Sequence, residues 1–233
     1  MTRATGARER ARTEIAESIK AEARRQLADA GAARLSLRAV ARELGMVSSA
    51  LYRYYPSRDD LLTALIIDAY DAVGAAAERA VAAAPAADPV ARWTAGCRAV
   101  RGWALANPHE YALLYGSPVP GYAAPETTTA PASRVARALI GVAEDADDAG
   151  LLDPVTVESA DVLRDAEQLV RRLGVRLHPA AMARLVAAWS QLFGLVGFEV
   201  FGQFHEVVHA REEFFERAAA DLGRGIGLRT PAA

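Results

Sequence analysis

Two short stretches carry side chains whose types and spacing suit chemistry. The first, His205-Glu206-Val207-Val208-His209, has the H-E-x-x-H pattern. On a helix its two imidazoles share a face and bind zinc while the glutamate activates a water. A catalytic zinc needs a third protein ligand converging on the same ion. Glu213 and Glu216 lie farther along the same helical pattern, and ligands at i, i+4 and i+8 spread over about 12 Å of helix. Gly202 and the break in apolar periodicity mark the stretch as an inter-helix turn. It is read as a chance match, so the chain is expected not to be an enzyme, with no catalytic residues, no metal ligands and no cofactor. A metalloenzyme or metal sensor built on 205–209 is the alternative reading. There is no Gly-rich phosphate loop and no nucleophile elbow.

The second stretch is LSLRAVARELGMVSSALYRYYPSRDDLL, residues 35–62. Two short helical patterns flank Gly45-Met46-Val47, the layout of a helix-turn-helix, in which the first helix braces the second against the major groove. Ser48 and Ser49 open the second helix, and their small hydroxyls allow close approach to base edges. Arg38 starts the bracing helix, where its fork suits a guanine edge or a phosphate. Tyr52, Tyr54 and Arg58 flank the reading helix with phenols and a guanidinium, good phosphate ligands. Taken singly, Tyr52 and Tyr54 also fit an amphipathic core position. Leu51 and Tyr55 are expected to face inward.

The elements that must hold these residues are helices. Ala, Leu, Arg and Glu dominate, and no period-2 alternation appears, so the fold class is all-α. Ile15, Ile19, Ala23 and Leu27 line one face of a first helix that Gly31 ends. Ser36 caps the second helix, and Leu37, Val40, Ala41 and Leu44 face inward. Pro56 closes the third. Ser57 opens a fourth with the stripe Leu61, Leu62, Leu65, Ile66, Ala69 and Val73, running to Pro85. Further helices are predicted near 89–106, 108–116, 132–145, 155–174, 180–204 and 210–226, three of them announced by Asp88-Pro89, Asn107-Pro108 and His178-Pro179. Residues 117–131, with four prolines and a Thr triplet, read as a mobile loop.

This gives a three-helix head over 1–57 with a flexible basic arm over 1–11, a connecting helix over 58–84, and a helical domain over 85–233. Of 233 residues 52% are hydrophobic and 24% charged, a globular balance that excludes disorder as the dominant state. The net charge of −2 conceals 12 Lys/Arg against 8 Asp/Glu in residues 1–60, and the reverse bias beyond. Only the front is suited to meet a polyanion. The single cysteine, Cys97, suits a reducing compartment. No secretory pattern is visible, and Leu185–Phe201 is interrupted by Ser190, Gln191 and Glu199, short of the roughly 20 apolar residues of a membrane span. A cytoplasmic location with no membrane partner is expected.

The run Leu44-Gly45, Leu51-Tyr52, Tyr54-Tyr55, Ser57-Arg58-Asp59 and Leu61-Leu62 resembles the TetR family of bacterial repressors, over about 50 residues from Ile15 to Leu65. Met46-Val47-Ser48 departs from that family's Val-Ser order at the turn. Residues 185–204, LVAAWSQLFGLVGFEVFGQF, are similar to the penultimate helix of one subgroup. The resemblance implies a homodimer built from the last two helices, a palindromic double-stranded DNA operator and a small-molecule effector that releases it. An apolar segment with two faces to bury agrees with a dimer. The interface expected on it uses Leu192, Val196, Gly197 and Val200, with Phe214, Phe215, Ala218 and Leu222 from the last helix. The effector is expected to be apolar or aromatic, in a pocket formed by Trp93, Cys97, Trp103, Tyr111, Tyr115, Trp189 and Phe193. A helical small-molecule-binding protein without DNA activity is a further alternative.

Overall fold

The computed structural model describes residues 2–231, with side chains from Arg8 onward. It contains α1 (Thr2–Ala30), α2 (Leu37–Glu43), α3 (Ser48–Leu51), α4 (Arg58–Ala83), α5 (Pro89–Ala106), α6 (Pro108–Tyr115), α7 (Thr129–Ala132), α8 (Arg134–Asp148), α9 (Ala160–Leu173), α10 (Pro179–Val200) and α11 (Arg211–Ile226). Two 3-10 turns lie at Ala32–Arg34 and Glu126–Thr128. Extended pairing among the described residues is one antiparallel bridge, Leu152 to Leu228. The all-α expectation holds. The basic arm expected over 1–11 lies partly outside the described side chains; from Arg8 it continues α1 as exposed helix.

The chain forms two compact units. The first joins residues up to Tyr70 with Asn107–Pro131, and the second joins Asp71–Ala106 with the chain from Ala132 onward. Proline punctuation had suggested boundaries at 57 and 84, and burial explains the difference. Leu61, Leu62 and Leu65, in the first half of α4, are fully buried in the same core as Ile19, Ala23 and Leu27 of α1 and Val40 and Leu51. Arg24 of α1 bridges Asp68 of α4 at 2.7 Å and Glu110 of α6 at 3.0 Å. The expected mobile loop is also anchored. The Tyr122 and Thr63 hydroxyls hydrogen-bond at 2.9 Å, Val119 and Tyr122 pack on the head core, and Thr128 is buried with its hydroxyl donating to the Pro125 carbonyl.

In the second unit α5 is the centre, packed on α8 and α11, while α10 packs on α5, α9 and α11. Trp93, Cys97, Val100 and Ala104 recur at helical spacing on one face of α5, all fully buried. The Trp93 indole N–H donates to the Ala219 carbonyl of α11 at 3.0 Å. Gly223 admits this ring, since a Cβ there would lie 2.9 Å from it. Of the three proline-marked helix starts two carry side-chain caps: Asp88 accepts from the Ala91 N–H and His178 from the Ala180 N–H, whereas the Asn107 side chain does not cap α6. At 22 residues α10 is long and apolar enough to cross a membrane by length and composition, more than its interrupted sequence suggested. It is nonetheless bound to three neighbouring helices.

Candidate nucleic-acid interface

The head presents α2 and α3 by burying one side of each. Leu37, Val40 and Ala41 of α2 and Leu51 of α3 enter the core with Leu27 and Leu35. Fully burying one such leucine is worth about 1.5–3 kcal/mol, so the outward faces are set by the inward ones. Ser36 starts α2, its hydroxyl accepting from the Ala39 N–H at 3.4 Å. Gly45, at φ +64°, then reverses the chain in the left-handed region, where a Cβ is unwelcome. The helix-turn-helix angle rests on that residue.

Outside this core stand Arg38, Ser48 and Ser49, all exposed as expected. Neither Arg38 nor Arg53 is engaged in an ion pair among the described residues. Tyr52 is 40% exposed. Two expected phosphate ligands are placed differently. Tyr54 is half-buried, its ring packed on the head core, because α3 ends at Leu51 and a turn swings Tyr54 and Tyr55 inward. The Arg58 guanidinium donates to the Ala32 carbonyl at 2.8 Å and lies 3.6 Å from Asp59. It ties the start of α4 to the turn after α1, because position 58 begins a helix packed beside that turn. Ser57 caps α4, its hydroxyl accepting from the Asp60 N–H at 3.1 Å and donating to the Asp60 carboxylate at 2.6 Å. Sequence reading overlooked two exposed residues of this face, Val47 and Arg53, which its attention to serines and tyrosines passed by.

An ion pair ties α1 to α4 within the head. The Lys20 ammonium meets Asp68 at 2.7 Å and Glu17 at 2.8 Å. Burial opposes its charge, but hydrogen bonds to Asp68 and Glu17 outweigh that cost and hold it above the usual lysine range.

The residues expected to form a ligand pocket are divided between the two compact units. Trp93 and Cys97 are core residues of the second unit, the indole committed to α11 and the thiol pushed well up by burial. Tyr111 and Tyr115 belong to the first unit, their rings 5.2 Å apart, with Tyr115 edge-on to Tyr70 at 6.1 Å. Burial pushes the Tyr111 phenol up to about 12. The Trp189 and Phe193 rings on α10 lie 4.5 Å apart, tilted at 46°, and Trp103 is half-buried on α5. Shared helical spacing groups residues on a face; it does not say that the face borders empty space.

The expected interface face of α10 is also partly turned. Leu192, Val196 and Phe215 are buried within the protomer and face its own core. Gly197 and Val200 are half-buried. The outward stripe is Ala187, Gln191, Gly194 and Phe198, which borders an apolar groove of about 620 Å³ closed on the other side by Phe214, Ala218 and Leu222 of α11. Beside Phe215, a partly buried fork-to-fork pair joins Arg101 of α5 to Glu199 of α10 at 2.6 and 2.7 Å. The 205–209 stretch is a non-helical turn with Glu206 at φ +57°, and both histidines are exposed. Without helical i, i+4 geometry the zinc-protease arrangement fails, and no cluster of three metal-ligating side chains occurs among the described residues.

A buttressed α2–turn–α3 with an exposed serine tip, carried on an all-helical chain, defines a helix-turn-helix DNA-binding regulator. Residues 19–65 match the model of bacterial regulatory proteins of the tetR family, and residues 93–222 match the tetracyclin repressor-like C-terminal domain. The HTH-type transcriptional regulator Rv1816 of Mycobacterium tuberculosis is 44% identical over 208 residues, 85% of this chain and 86% of the relative. The crystal structure of SCO4313 is 36% identical, with a TM-score of 0.74 over 92% of this chain and 97% of that one. PfmR of Thermus thermophilus, a TetR family transcriptional regulator, shares the fold at 20% identity, with a TM-score of 0.59 over 88% and 96% of the two chains. The chain belongs to the tetR family of bacterial regulatory proteins: it is a DNA-binding transcriptional regulator and not an enzyme.

Proposed function

We propose that the protein is a ligand-responsive repressor that binds a palindromic operator as a homodimer, in the cytoplasm. The observation that carries the dimer is the α10–α11 groove. Phe198 is 53% exposed and Phe214 41%, and Phe204 sits between them in edge-on contacts of 5.7 and 5.6 Å. An added Cβ at Gly194 would meet nothing within 4 Å inside the protomer. The open glycine and the aromatic rim therefore suit an approaching second copy. A twofold axis through this groove buries the same stripe on both subunits and sets two reading helices on successive half-sites.

On the DNA, Ser48, Ser49 and Arg38 read base edges, while Tyr52 and Arg53 take phosphates. Tyr54 and Arg58 support these groups from behind. The effector is an apolar or aromatic small molecule, and its binding shifts the population of dimers away from the operator-compatible form. The aromatic pairs Trp189–Phe193, half-buried, and Tyr111–Tyr115, with Tyr111 fully buried, support such a ligand class. A resorcinol complex of RolR, which shares the fold at 13% identity and a TM-score of 0.52, is consistent with that chemistry.

The test begins with gel-shift selection of genomic fragments by the purified protein, at several salt concentrations. A salt-sensitive, sequence-selective complex of dimer stoichiometry is expected. Folded protein that selects no fragment, or a monomer bound to a half-site, overturns the reading. Screening aromatic metabolites for release of the selected fragment then identifies the effector.

A further inference from the structure

Three helices start in or next to the helix-turn-helix, and their first residues differ. Ser36 and Ser57 cap α2 and α4 through their hydroxyls. The residue before α3 is Val47, in extended backbone at φ −71° and ψ 137°, with no side-chain cap. Valine is among the poorest residues for that role, and Ser48 stands one position away. Val47 is also 70% exposed, the most exposed large apolar residue of the described head side chains. It is not among the side chains buried in the head core or half-buried against it. Two local preferences are thus set aside at one position, the cap and the burial of an apolar side chain. Its immediate neighbours on the same tip are the exposed Ser48 and Ser49.

A groove-facing tip that exposes an aliphatic side chain matches one chemical feature of B-DNA. Every hydrogen-bonding group on the major-groove edge is wasted on valine, whereas the thymine C5 methyl is the single apolar group there. Cytosine presents an amino group and no methyl at the corresponding edge. We propose that Val47 is a specificity-determining residue that packs against the methyl group of a thymine in the target duplex. The inference rests on α3 being the helix that enters the groove, and it assigns that helix a base preference.

The test uses a duplex selected by the full-length protein, with each thymine replaced in turn by deoxyuridine, which lacks only the methyl. Affinity is read by fluorescence anisotropy. Wild type is expected to lose about fourfold at one thymine of each half-site, the worth of one methyl removed from water. Val47→Ala is expected to bind the thymine duplex correspondingly more weakly and to be indifferent to deoxyuridine at that position. Val47→Ser, which restores a capping hydroxyl, is expected to melt higher than wild type and to be equally indifferent. A wild type insensitive at every thymine overturns the proposal while leaving DNA binding intact, as does either variant that keeps the deoxyuridine response. Absence of any selected duplex instead removes the groove-facing reading, and the proposal with it.

Discussion

The recognition face of the head and the α10–α11 groove are both outward surfaces beside a buried core, yet they were legible to very different degrees. In the head, each outward residue is within a few positions of a strong local marker: Ser36, Gly45, Pro56 or Ser57. Helices of four to seven residues leave little freedom in which face is buried. On α10 the apolar residues run round the helix for 22 positions, and no marker separates the face bound for α5 and α9 from the face left open. Local punctuation resolves short amphipathic elements; long, uniformly apolar ones need their neighbours.

Substitutions on the two surfaces sharpen this contrast, beginning with the largest effect. Trp93→Ala removes a ring packed against Gly223 and hydrogen-bonded to Ala219, so it should destabilise the second unit by about 3–5 kcal/mol in denaturant unfolding. A much smaller loss, with effector response abolished, would instead make Trp93 pocket lining. Next come paired changes on opposite faces of α10. Leu192→Ala should cost about 2–5 kcal/mol of protomer stability, while Phe198→Asp should leave the fold intact and shift sedimentation from dimer to monomer. If Leu192→Ala splits the dimer and Phe198→Asp does not, the face assigned here is the wrong one.

On the head, Arg38→Ala should weaken binding and relax preference at one base pair by about 1–3 kcal/mol, seen by comparing affinities across operator variants. Arg58→Ala should lower head stability more than it alters selectivity, because its guanidinium holds the Ala32 carbonyl. Loss of the Ser36 cap in Ser36→Ala should cost about 1 kcal/mol. The smallest effect is a pH dependence. Lys20 is held above its ordinary value of 10.5, so its pairing with Asp68 is fully present below that pH and is lost as pH rises through the higher folded value. The melting temperature should therefore fall on the alkaline side, and Lys20→Met should flatten that limb. An unchanged alkaline limb in the variant would remove Lys20 as its source.

The resemblance carried by Leu44-Gly45, Leu51-Tyr52 and Ser57-Arg58-Asp59 was readable because turn, cap and aromatic residues lie at fixed short offsets. The same reading aimed Tyr54 and Arg58 at phosphates, whereas Tyr54 packs on the head core and Arg58 donates to the Ala32 carbonyl, since where a phenol or guanidinium points depends on where α3 stops and what α4 packs beside. His205-Glu206-x-x-His209 shows the opposite hazard: a motif whose chemistry requires a helix falls in a turn with a left-handed glutamate.

By themselves, the residues in order determined the helical class, most helix ends and the reading tip, because these follow from spacing, capping and steric preference over a few positions. The three-dimensional packing alone decided that residues 107–131 join the head, that Leu192 and Phe198 of one helix face opposite ways, and that the Trp93 indole is committed to the Ala219 carbonyl. Those outcomes turn on contacts between segments tens of residues apart, such as Arg24 with Glu110 and Trp93 with Ala219, for which no local pattern stands in.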